Sequence, residues 1–128
     1  MRKIEFRGKD TNGNWHFGLP TCIGDKYTFL NYWDKNDELH EVRVKTETLG
    51  QFSGLRDKFG FVIYEGDIIL HEHNGEKYYR EIRWCNGGFV EVNDKFLISH
   101  EIQPFVENGV VVDWEVVGNI FDTPELIK

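Results

Sequence analysis

Residues 48–69 read T-L-G-Q-F-S-G-L-R-D-K-F-G-F-V-I-Y-E-G-D-I-I, and their rhythm decides the fold. Short apolar runs are punctuated by Gly50, Gly54, Gly60 and Gly66. Glycine reaches left-handed backbone conformations that other residues resist, so this stretch turns sharply and often. Residues 49–52 are expected as a short strand and Ser53-Gly54 as a turn. Asp57-Lys58-Phe59-Gly60 is expected as a four-residue turn with Asp and Gly in favoured positions. Residues 61–64 then return, Glu65-Gly66-Asp67 turns again, and residues 68–71 begin a longer strand. The spacing of Gly54, Gly60 and Gly66 is not that of a phosphate cradle, and no helix start follows to hold a phosphate. The stretch is therefore a folding device.

Outward from it the same alternation continues. Residues 3–7 (K-I-E-F-R) put Ile4 and Phe6 on one face, followed by a turn at Asp10-Thr11-Asn12-Gly13-Asn14, where Asn-Gly is a strong hairpin signal. Residues 15–19 return, Pro20 is expected to end that strand by removing an amide donor, and the chain around Cys22 and Gly24 is expected to be irregular. Residues 27–33 and 39–45 form a second hairpin about the polar turn 34–37, with Val42 and Val44 inward beside His40. Residues 77–85 pair with 89–93 about Asn86-Gly87-Gly88, with Tyr78, Ile82 and Trp84 on one face. The pattern leaves 94–106 unassigned between strand and helix. Asn108-Gly109 precedes a strand at 110–117 with Val110, Val112, Trp114 and Val116 on one face. Gly118-Asn119 breaks or bulges it before Ile120 and Phe121 continue it. Thr123-Pro124 is a helix start, good for one terminal turn.

The composition agrees with this reading. The 128 residues include 15% aromatics and not one alanine, the strongest helix former. No linker divides the chain and no repeat appears at a fixed period, so residues 1–128 read as a single domain. The fold class is all-β: short antiparallel strands forming a barrel-like domain, with at most a short helix. The net charge of −7 disfavours nucleic acid and anionic membranes as partners and suits solubility. Cys22 and Cys85 lack metal-type spacing, no secretion signal is visible, and no apolar run approaches the ~20 residues of a membrane span, so the cytoplasm is the expected setting.

Three stretches resemble the YopX family of phage and prophage proteins. They are I-E-F-R-G-K-D-T-N-G-N-W near the amino terminus, E-T-L-G-Q-F-S-G-L-R-D-K-F-G-F-V-I-Y-E-G-D-I-I in the centre, and W-E-V-V-G-N-I-F-D-T-P-E-L-I at the carboxy end. The central one is the most specific, close to the family's Gly-Gln-aromatic-Ser/Thr-Gly-Leu, Asp-Lys and Tyr-Glu-Gly-Asp-Ile pattern. The resemblance implies a β-rich fold including an SH3-like barrel, a phage origin in a bacterial host cell, and no catalytic residues, the family having no assigned function. The chain departs from the family where small or polar residues usually follow Asp-Lys: Phe59, Phe61 and Val62 stand there.

No set of residues forms a catalytic frame. His71 and His73 lie two apart on a strand, as metal ligands can, but a third ligand must come from Cys22, Cys85, His16, His40 or His100, and solvent-facing histidines beside a turn are the preferred reading. Glu65 and Asp67 flank Gly66; paired carboxylates serve acid–base chemistry, yet an aspartate at a strand entrance more often accepts backbone N–H groups. Gln51 among apolar residues is expected to bond backbone. Cys22 and Cys85 read as small hydrophobes, and Ser53 and Ser99 lie in no nucleophile elbow. Lys77-Tyr78-Tyr79-Arg80 with Arg83 and Trp84 interleaves bases and aromatics as single-strand binders do, but Glu72, Glu76 and Glu81 stand among them. The chain is thus expected to be no enzyme, with no cofactor and no metal. It reads as an accessory protein that binds another protein of phage or host, or itself as a homo-oligomer, with nucleic-acid binding as the alternative. Apolar Phe59 and Phe61 in a turn carry the first reading.

Overall fold

The computed structural model describes residues 5–73, 75–85, 88–93, 98–101 and 106–127, and of residues 73, 84–85, 88–93, 98–101 and 106–107 the backbone alone. Among them the fold is all-β, with two short 3-10 turns as its helical content. The chain divides into two compact units, Met1–Phe52 and Ser53–Lys128.

In the first unit, β1 (Phe6–Lys9), β2 (Trp15–Ile23), β3 (Tyr27–Trp33) and β4 (Leu39–Lys45) form an antiparallel meander, and Gly50 and Gln51 of β5 (Gly50–Arg56) pair with β1. Residues directly opposed across such pairs share a face, and neighbours along a strand alternate. One face carries Gly8, Thr28, Leu30 and Val44, all buried. A Cβ on Gly8 would come within 2.6 Å of Val44 Cγ2, so the sheet curls until its first and fourth strands meet. Fully burying Leu30 and Val44 contributes about 1.5–3 kcal/mol each. Thr28 is satisfied within this interior by Thr46 of the 3-10 turn Thr46–Thr48, hydroxyl to hydroxyl at 2.8 Å.

Ser53–Lys128 contains the rest of β5 together with β6 (Val62–Tyr64), β7 (Asp67–His73), β8 (Glu76–Cys85), β9 (Gly88–Asn93), β10 (Ile98–Glu101), β11 (Val106–Glu107), β12 (Val110–Val111) and β13 (Trp114–Asn119). Strands β10-β9-β8-β7-β13 make a five-stranded antiparallel sheet. Its core is Ile63, Ile69, Ile82, Val111 and Trp114, with Leu55 and Val116 packed against it. Asn108 and Gly109, both at positive φ (54° and 78°), make the two-residue turn between β11 and β12. The final 3-10 turn, Pro124–Ile127, is the short terminal helix expected after Thr123.

Several details depart from the sequence reading. The strand orders are linear, so the sheets are open and no barrel closes among the described residues. One pairing, Val110 of β12 with Arg56 of β5, is parallel. Strand β2 runs through Pro20 to Ile23: Pro20 stands in register opposite Leu30, and a bulge between Pro20 and Cys22 leaves Thr21 as the extra residue before pairing with β3 resumes. Ser53-Gly54 is no turn. Gly54 sits at φ 88° inside β5, and there its left-handed backbone bends the strand without reversing it. Residues 112–113 turn between β12 and β13, so Val111 is buried and Val112 exposed, the reverse of uninterrupted alternation. The bulge expected near Gly118 is present, between Val116 and Gly118, but Ile120 and Phe121 leave the strand for a turn.

Candidate functional site

Three loops share one hydrogen-bond pattern. Asp10, Asp34 and Asp57 each open a five-residue connection between strands. In each, the aspartate N–H donates to the carbonyl four residues on, at Asn14, Glu38 and Phe61 (3.0, 3.0 and 2.8 Å). Its own carbonyl accepts from the residue three on, Gly13, Asp37 or Gly60, all at positive φ (85°, 59° and 88°). Carboxylate Oδ1 then accepts two further backbone N–H groups, from the second and fourth residues after it, at 2.8–3.0 Å. These are aspartate-capped turns in which a short side chain replaces a backbone acceptor. The signal was an aspartate followed three residues later by one tolerant of left-handed backbone. It escapes a search for similar letters, because D-T-N-G-N, D-K-N-D-E and D-K-F-G-F share little else.

The second carboxylate oxygen separates the loops. Asp10 Oδ2 meets His16 Nε2 at 2.8 Å, and Asp34 Oδ2 meets His40 Nε2 at 2.7 Å. The His40 ring also stacks on Tyr32, with centroids 5.0 Å apart. The His16 contact, with the Asn14 and Asn12 amides, holds the Asp10 carboxyl down at about 2. His40 first, then the Glu38 and Asn36 amides, lowers Asp34 likewise. Asp57 is fully buried, and its Oδ2 accepts the N–H of Val116 in β13 at 2.9 Å. Among the described residues, Asp34, Glu38 and His40 bring their possible metal-ligand atoms within 4.8 Å of one another. The sister loop has Asn14 in place of Glu38 and makes the same Asp–His contact, so the turn itself accounts for the grouping.

Buried Asp57 presents two aromatic rings to solvent. Phe59 and Phe61 are 63% and 65% exposed, although their N–H groups are both bound to Asp57. Lys58 donates its N–H to the Trp114 carbonyl at 2.9 Å and lays its ammonium over the Phe59 ring at 5.2 Å. The tip is therefore apolar and its backbone held, and Val62 beyond it is half-buried.

The other residues singled out in the sequence are mostly engaged in structure. Asp67 is buried and accepts the Tyr64 N–H at 2.8 Å, while Glu65 is half-buried in the adjoining turn. Ser53 is buried, and its hydroxyl accepts the Leu55 N–H. Gln51 is half-buried and stands opposite Phe6 in the β1–β5 ladder. His71 packs against Tyr78 at 6.3 Å, and Cys22 is exposed on β2. On β8, Arg83 makes a two-pronged pair with buried Glu81 (2.8 and 2.9 Å). Tyr78 donates its hydroxyl to Glu76 at 2.7 Å, which raises the phenol pKa. Two of that strand's interleaved groups are thus matched by the acids beside them. The side chains of His73, Trp84, Cys85, Ser99 and His100 lie outside the described residues.

A further surface went unnoticed in the sequence. By register, the face of the first unit opposite its interior carries Trp15, Phe17 and Leu19 of β2 and Tyr27, Phe29 and Trp33 of β3. It also carries Arg7 and Lys9 of β1, and Leu39, Glu41, Arg43 and Lys45 of β4. Trp33, Leu39, Phe17 and Leu19 are 60%, 55%, 46% and 43% exposed. Cations lie over the rings between them: Arg7 and Lys9 over Trp15 (4.5 and 5.3 Å), Arg43 and Lys26 over Tyr27 (4.3 and 5.5 Å). At one end Asp25 and Glu47 join Lys26, Tyr27 and Lys45 around a shallow cleft of about 270 Å³. Each strand alone looks like ordinary alternation, and only the register gathers the rings and bases on one side.

Comparison with known proteins gives a family and a fold. The family model described as YopX protein matches residues 5–128. The crystal structure of protein EF1440 from Enterococcus faecalis is similar over 100% of both chains, with a TM-score of 0.60 and 20% sequence identity. No curated protein matches the chain. None of the described helices is long and apolar enough to cross a membrane.

Proposed function

The chain belongs to the YopX family, and on that footing we propose that it is a non-catalytic accessory protein that binds another protein, a second copy of itself included. The reading takes it to be phage- or prophage-encoded and to work in the cytoplasm of the bacterial host. One observation carries it: Phe59 and Phe61 stand more than 60% exposed on a loop whose backbone is bound to a buried carboxylate. Large aromatics on a preorganised loop lose little conformational freedom when they dock, and such anchors dominate binding energy at protein interfaces. The engaged state of Asp57, Asp67 and Glu81 supports a non-catalytic role, since each of these buried acids already serves backbone or an arginine.

Phe59→Ser with Phe61→Ser removes the tip without touching the Asp57 bonds. Light scattering across a concentration series reads self-association. Capture from induced host cells, run in parallel with the native chain and the double variant, reads other protein partners. The expected result is an oligomer or a captured protein that the double variant loses. A native chain that stays monomeric and captures the same proteins as its variant ends the reading.

A further inference from the structure

We propose that the outer face of the first unit binds single-stranded nucleic acid, with Phe17 and Trp33 as stacking platforms and Lys9, Arg43 and Lys45 as phosphate contacts. The site lies in a different unit from the Phe59–Phe61 tip and stands independently of the protein-binding reading.

Charge and aromatic content together choose the occupant. The chain as a whole is acidic, at −7, yet the strand residues of this face carry four cations, of which Arg7 is buried, and one acid, Glu41. Glu5, just before β1, falls on the same side by alternation, and the remaining acids nearby sit in the connections at the strand ends: Asp10, Asp34, Asp37 and Glu38 in the hairpin loops, Asp25 and Glu47 around the end cleft. A net negative charge argues against a polyanion only when it is spread evenly, and here it is segregated. Stacking rings set among cations are the arrangement that grips unpaired bases and tracks their backbone. Same-face residues recur about 7 Å apart along a strand, with neighbouring strands about 4.8 Å away, so Phe17 and Trp33 lie within one short oligonucleotide's reach. A duplex hides its base faces and leaves exposed rings unused, which selects the single strand. The cation–π contacts hold Lys9 and Arg43 beside Trp15 and Tyr27 and so limit the freedom their side chains lose on binding.

The test is fluorescence anisotropy of a labelled twenty-nucleotide thymidine strand against the full chain at low salt, with the same length of duplex in parallel. Binding to the single strand is expected, weakening with salt at a log–log slope of about −2 for three phosphate contacts. Trp33→Ala and Phe17→Ala are each expected to weaken it roughly tenfold. Both sites are largely exposed, so the thermal midpoints stay near that of the native chain. Arg43→Gln with Lys45→Gln is expected to flatten the slope by about 1.4. Phe59→Ser with Phe61→Ser leaves binding unchanged, which separates this proposal from the previous one. No anisotropy change at low salt overturns it. So does equal or tighter binding of the duplex, or binding that survives Trp33→Ala and Phe17→Ala together.

Discussion

Loops 34–38 and 57–61 contain the same backbone bonds and the same pair of amides on one carboxylate oxygen, and they differ in what the other oxygen does. In the first, it reaches a histidine two residues beyond the loop, so every contact it is seen to make is local to one hairpin. In the second it reaches Val116, 59 residues away, and ties the loop to β13. A turn motif set by local chemistry thus serves as a self-contained hairpin end at one place and a tertiary anchor at another. What decides between them is burial. A half-buried aspartate shares its bonds with water, while a fully buried one must find protein donors for both oxygens.

The largest effect expected from that difference is on stability. Asp57→Ala strips three backbone N–H groups of their acceptor. At about 1–3 kcal/mol for each buried donor left unmet, and with water reaching some of them, the loss is about 3–5 kcal/mol in urea unfolding. Asp34→Ala is expected to lose far less, because solvent replaces the carboxylate. Asp57→Asn keeps an acceptor for Phe59 and Phe61 and should fall between the two. Equal losses for Asp57→Ala and Asp34→Ala would mean that the link to Val116 contributes nothing.

A second contrast lies at the left-handed position of each loop. Gly60 has φ 88° and open space around a would-be Cβ, so Gly60→Ala meets only the backbone cost, about 1–2 kcal/mol. Asp37 already bears that kind of cost at φ 59°, and Asp37→Gly is expected to stabilise the first unit by less than about 1 kcal/mol. Opposite signs for the two exchanges, read as shifts in thermal midpoint, are the expected outcome. A loss from Asp37→Gly would show that its side chain does more in the loop than its backbone costs.

Local chemistry was the legible part of the sequence. Strands Tyr27–Trp33 and Leu39–Lys45 were readable to the residue, because a β-rich run and a cleanly alternating one flank a polar turn. Alternation misled at 112–113, where a tight turn changes which side faces in, and the missing amide donor misled at Pro20, where pairing resumes beyond a bulge and runs on to Ile23. Phe59 and Phe61 were visible as apolar letters in a turn, but their exposure depends on Asp57 being inside, which its neighbours do not announce. The aromatic face of β1–β4 was out of reach altogether. Its rings and bases belong to four strands, and Tyr27–Trp33 alone does not say that Lys9 or Arg43 will lie beside it.

The smallest expected effect is on the acid side, and it concerns the exposed loops. The Asp10 carboxyl is held at about 2 when folded, against about 3.9 for an aspartate in an unfolded chain. A folded pKa below the unfolded one means that the unfolded chain binds the proton more readily. The stabilisation is therefore complete above about pH 4 and is lost as the pH falls from there through about 2. Asp34, lowered by the equivalent histidine, should follow in the same sense. Carbon-detected NMR of the aspartate carboxyls reads both titrations directly. His16→Ala is expected to move the Asp10 midpoint upward, since the histidine is the largest cause of its depression, while leaving Asp34 in place. His40→Ala should do the converse. If neither exchange moves its partner, the two amides on Oδ1 account for the whole shift. Loops 10–14 and 34–38 would then differ from 57–61 only in burial, and the two histidines would be incidental to their chemistry.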